Sequence, residues 1–132
     1  MLIPLFAAIA PFIVWTVELF FPYPYIVEEL FKALLIYFVL KSEANRATKI
    51  KLTIIAGILF AFSETVLYIF NLLLVGNLNL LFERLLITTS LHVLTSLAIL
   101  IPAMYNKKLI VVGIVLAMII HYYFNIFIPL IK

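Results

Sequence analysis

Apolar runs alternate along this chain with short polar breaks, and they predict five helices, over residues 2–21, 25–40, 52–75, 81–105 and 109–131. A hydrocarbon core about 30 Å thick needs about 20 residues of helix at 1.5 Å per residue. The second run is short, so it is expected to tilt or to thin the bilayer locally. Between the first two, the segment from Phe21 to Tyr25 breaks the helix at Pro22 and Pro24 and offers aromatic rings suited to the membrane interface. The expected fold class is all-α: a polytopic integral membrane helical bundle of about five transmembrane helices. Residues 1–132 are read as one transmembrane domain.

Composition agrees. Hydrophobic residues make up 67% of the chain and charged ones 11%, with a mean hydropathy of +1.31, too apolar for a soluble fold. There is no cysteine, so disulfides, thiol catalysis and Cys-based metal sites are excluded. A net charge of +3 does not imply a nucleic-acid partner, because six of the nine basic residues lie in two loops. These are Lys41, Arg46, Lys49 and Lys51 in one, and Lys107 and Lys108 in the other. The loops at 22–24 and 76–80 carry none. By the positive-inside rule the N-terminus is cytoplasmic and the C-terminus outside. The opening residues MLIPLFAAIAPFIVW lack the basic start of a secretory signal and read as a retained first span. No internal repeat is evident.

Six ionisable side chains fall inside these spans: Glu28, Glu29, Lys32, Glu64, His92 and His121. A charge at bilayer depth costs at least about 2.5 kcal/mol, so such residues are expected to share an internal polar site. Helical spacing supports this. Lys32 lies i,i+4 from Glu28 and i,i+3 from Glu29, and can reach either carboxylate. Gly57, Phe60, Glu64, Tyr68 and Asn71 share one face of the third helix. Arg84, Thr88, His92 and Ser96 recur every four residues in the fourth, as do Gly113, Ala117, His121 and Asn125 in the fifth. The helical rise puts Glu64, His92 and His121 about 16–19 Å into their spans and Glu28 and Glu29 about 5–8 Å inside the outer boundary. One cavity, from the midplane toward the outer leaflet, could hold them all.

Four short patterns centre on these residues: EExxK (Glu28, Glu29, Lys32), FxxxE (Phe60, Glu64), an arginine eight residues before HxxxS (Arg84, His92, Ser96), and HxxxN (His121, Asn125). In this order they resemble the motifs of PrsW-type intramembrane proteases, relatives of the Abi/CAAX prenyl-protein-processing endopeptidases. The resemblance covers every span but the first. The chain departs from it in having Val27 where many members have a third acidic residue, and in being short. The resemblance implies an endopeptidase in a prokaryotic cell membrane. It implies too that Glu28 or Glu29 is the base, with His92 and His121 completing the site.

Peptide hydrolysis needs an activated water, stabilisation of an oxyanion and a proton for the leaving amine. A glutamate beside a histidine can take the proton from water and return it. His92, His121, Asn125 or Ser96 could donate to the oxyanion, while Lys32 keeps the paired carboxylates partly ionised. A metal-dependent form is equally drawable. Glu64, His92 and His121 offer a ligand set for a divalent metal such as zinc, with a fourth position for water.

Each residue alone has a plainer reading. Glu28, Glu29 and Lys32 could form an interfacial ion cluster, and the histidines could be helix–helix hydrogen-bonding residues. Glu18, and Glu83 beside Arg84, fall near the outer interface and receive no role. Taken together the residues favour an intramembrane protease whose partners are the lipid bilayer and membrane-embedded or membrane-anchored peptide substrates. Two rivals are a proton-coupled transporter, which could use the same buried acids and histidines, and a non-catalytic membrane binding or immunity protein. Five short helices enclose little space, so a homo-oligomer is compatible with the sequence.

Overall fold

The computed structural model describes residues 2–75 and 78–127, with the side chains of 70–75, 78 and 80 excepted. Five α-helices follow in order: α1 (Ile3–Glu18), α2 (Pro24–Lys41), α3 (Arg46–Val75), α4 (Leu78–Tyr105) and α5 (Ile110–Phe127). A 3₁₀ turn, Lys107–Leu109, leads into α5, and no strand occurs among the described residues. The bundle is all-α, as the hydropathy pattern predicts. Among the described residues three helical segments are long and apolar enough to cross a membrane: Arg46–Ile69, Leu81–Tyr105 and Lys107–Phe127. Of the two others, α1 is apolar but shorter, and α2 spends its first half on Glu28, Glu29 and Lys32. The Asn71 side chain and the part of the last span beyond 127 lie outside the described residues.

Local chemistry sets the helix ends. Pro24 falls in the first turn of α2, where its missing N–H costs nothing. Asn45 Oδ1 accepts from the Thr48 amide at 2.9 Å and caps α3. At the end of α2, Ser42 Oγ donates to the Val39 carbonyl at 2.7 Å and Lys49 Nζ to the Leu40 carbonyl at 2.9 Å. The Val39 carbonyl also accepts the Ser42 amide at 3.2 Å, so side chains and backbone together satisfy the last turn.

In the bundle α1 packs on α3, α3 on α4 and α4 on α5, while α2 lies against all four. Among the described residues the backbones of α1 and α5 do not come close. Two glycines let backbones approach closely, as small residues do in membrane bundles. A Cβ on Gly57 would lie 2.9 Å from Val93 Cα. One on Gly113 would lie 2.7 Å from both Ile99 Cα and the Ala98 carbonyl. The second half of α2 supplies Ala33, Ile36 and Val39 to a dry core with Ile3, Ile99, Leu100 and Ala117. Outward positions are apolar too, among them Leu30, Leu34, Val111, Val115 and Ile119. An apolar exterior of this extent suits lipid rather than water.

Candidate functional site

The first half of α2 is the hub of the site. Lys32 is buried, and its ammonium uses all three N–H groups: to Glu29 Oε1 at 2.5 Å, Thr95 Oγ1 at 2.7 Å and His92 Nδ1 at 3.1 Å. The spacing left two carboxylates open to it, and Lys32 pairs with Glu29, which is 0% exposed. A buried ion pair survives only if further hydrogen bonds complete it, which Thr95 and the two histidines provide.

His121, on α5, places Nδ1 2.7 Å from the same Glu29 oxygen. A carboxylate paired with an ammonium accepts only, so Nδ1 donates to it, and in a neutral ring the lone pair is then on Nε2. That Nε2 faces Glu28 Oε2 at 3.9 Å. The opposite tautomer follows for His92. With Nδ1 accepting from Lys32, Nε2 holds the proton and donates to Glu64 Oε2 at 2.5 Å. The two imidazoles meet edge to face, with centroids 5.7 Å apart. Phe60 packs against His92 at 5.0 Å and carries Lys32 over its face at 5.5 Å. Arg84 stands 3.9 Å from Glu64 Oε1 and lies over the Tyr68 ring at 4.1 Å.

Glu28, Glu29, Lys32, Glu64, Arg84, His92 and His121, drawn from four helices, thus form one group. Two residues singled out from spacing stand apart. Ser96 is buried one turn beyond His92, lining a cavity of about 10 Å³ with Lys32, Thr53 and Phe60. Asn125 is exposed, one turn beyond His121. Two others join the site unannounced. Thr95 could have been found, because it lies i+3 from His92 on the same face. Glu18, in the last turn of α1, has its carboxyl within hydrogen-bonding reach of the Glu28 carboxyl. Its only sequence signal is a lone acid at the end of an apolar run, before the proline turn.

The donor set suits a metal ion. Glu28, Glu64 and His92 each offer a ligand atom, all within 4.8 Å of one another. Oxygen and imidazole nitrogen donors suit zinc and related divalent ions. Glu28 Oε2 is also buried without any hydrogen-bond partner, which an ion would supply. This set differs from the one drawn from the sequence in containing Glu28 where His121 was expected, with His121 bordering it through Glu28.

The model of one protein family, described as PrsW family intramembrane metalloprotease, matches residues 4–132. No curated protein and no solved structure matches the chain.

Proposed function

The chain belongs to the PrsW family of intramembrane metalloproteases, and from that premise we propose that it hydrolyses peptide bonds with a water held among Glu28, Glu64 and His92. It is an integral membrane hydrolase acting on membrane substrates, as its family and apolar helices indicate. The observation that carries the finer reading is the convergence of these three donors beside a histidine whose Nε2 faces Glu28.

Glu28, Glu64 and His92 would hold the ion. A divalent cation so held would acidify a bound water and polarise the scissile carbonyl. His92 would offer it Nε2, the nitrogen that otherwise bonds to Glu64. A neutral His92 would then carry its proton on Nδ1, leaving Lys32 with Glu29 and Thr95 as acceptors. Glu28 has two oxygens, so it can share in holding an ion and still accept the proton of the water. His121 Nε2 then relays that proton to the leaving amine. Glu29 does not act on the substrate in this scheme. It fixes the tautomer of His121, as carboxylates do beside catalytic histidines. Arg84 balances Glu64, while Phe60 and the buried threonine seat Lys32. The group lies toward the end of the bundle opposite the basic loops, so cleavage is assigned to the outer leaflet, with the N-terminus cytoplasmic.

A survey of peptide termini by mass spectrometry tests the proposal. Native membranes are incubated with the purified wild-type chain or with Glu28→Gln. New termini near membrane boundaries, produced by wild type alone, are the expected result. Identical termini from both proteins, with each shown to be folded, would remove the hydrolytic reading.

A further inference from the structure

Ser96 completes the HxxxS pattern and is 1% exposed, yet it takes no part in the ion group. Its hydroxyl makes no hydrogen bond among the described residues. Thr53, on α3, is 0% exposed, and its Oγ1 is also buried without a hydrogen-bond partner. Other hydroxyls of these two helices are satisfied locally. Those of Thr65, Thr88 and Ser90 donate to the carbonyls of Ala61, Arg84 and Leu86 at 2.7–2.9 Å. Helix geometry brings the two unpaired residues to one level. Gly57 of α3 lies against Val93 of α4, and Thr53 and Ser96 each stand about one turn further toward the basic loops.

Both residues line the cavity of about 10 Å³ that Lys32 and Phe60 border, and every residue lining it is buried. A volume of that order suits one water molecule, and buried polar groups without other partners are what retain such a water. Size excludes a larger occupant. Charge disfavours a cation, because the Lys32 ammonium belongs to the lining. All three of its N–H groups are engaged elsewhere, so the hydroxyls are what the cavity offers. We propose that this cavity is a binding site for a single internal water, held between Thr53 Oγ1 and Ser96 Oγ, that joins α3 to α4 beneath Lys32. The bridge satisfies two hydroxyls in a region where lipid offers no substitute. Ser96 then serves the wall behind the ion group and does not act on a substrate. The site stands whether or not the chain is hydrolytic.

The test combines two measurements on the full-length chain. A structure of wild type at a resolution that reveals ordered water should show density within hydrogen-bonding reach of both hydroxyls. Reversible unfolding in detergent then compares wild type with Thr53→Val, Ser96→Ala and the double variant. Thr53→Val keeps the shape of the side chain and should lower the folding equilibrium constant about fivefold, the worth of one hydrogen bond. The double variant should lose less than the product of the two single losses, because both remove the same water. A dry cavity predicts the opposite sign: Thr53→Val would then stabilise the fold by removing an unpaired hydroxyl. That result, or a cavity without density, would overturn the proposal, and losses that simply multiply would remove the shared bridge. Should Thr53→Val fail to fold, the density in wild type decides.

Discussion

The two halves of α2 pack against the same neighbouring helices and do so by opposite means. The second half buries Ala33, Ile36 and Val39 among other apolar side chains, with contacts that any well-shaped hydrocarbon could make. The first half buries Glu28, Glu29 and Lys32, and each of its hydrogen bonds names a single partner on another helix or on its own. Apolar packing tolerates small changes of shape. A buried polar network does not, because one missing member leaves a charge unpaired in a low-dielectric surrounding. The comparison teaches that the dry half of the bundle carries stability and the polar half the proposed chemistry, at a cost in stability offset by its own hydrogen bonds.

Substitutions can sharpen or break that division. The largest effect is expected at Glu28: Glu28→Gln should lower turnover by about 10²–10⁴-fold, the usual contribution of a positioned acid or base, with helicity unchanged. Retained activity would put Glu28 outside the chemistry. Prolonged chelation should likewise abolish cleavage and added divalent ion restore it; cleavage surviving rigorous removal of metal would leave only a metal-free mechanism. Next comes Lys32→Met, which strips Glu29, His92 and Thr95 of their shared cation. It should destabilise the fold by about 3–5 kcal/mol, measured by reversible unfolding in detergent, as well as abolish turnover. Stability equal to wild type would mean that the polar half needs no completed network. Ile36→Ala, on the dry side, should cost about 2 kcal/mol of stability, because it opens a cavity where atoms touched. Its kcat should stay near wild type, and a large fall in kcat would break the separation of the two halves. The smallest effect is expected from Asn125→Ala. Because Asn125 is exposed and outside the network, the change should alter KM more than kcat, and by less than about tenfold.

Much of this arrangement was legible in the chain. Hydropathy marks five helices, and the 3.6-residue period assigns Glu64 to the same face as Phe60, and His121 to the same face as Gly113. Gly57 and Gly113 lie on those faces, and each meets a neighbouring backbone. Within one helix the period also limited Lys32 to Glu28 or Glu29. It could not choose between them, because the choice depends on where His121 of α5 stands.

What the sequence determined by itself is therefore the helices, their order and the polar stripe on each, since these depend on bond geometry and on the cost of placing charge in lipid. Tertiary structure alone decided how the stripes are rotated and displaced against one another. It paired Lys32 with Glu29, set Glu28 beside Glu64 and His92, drew Glu18 in from α1 and left Asn125 outside. The physical reason is that periodicity fixes relations within a helix, whereas in a membrane the lipid-facing and core-facing surfaces are equally apolar. No hydrophobic contrast along the chain records how one helix turns toward the next. Only the packed backbones and the hydrogen bonds between them settle it.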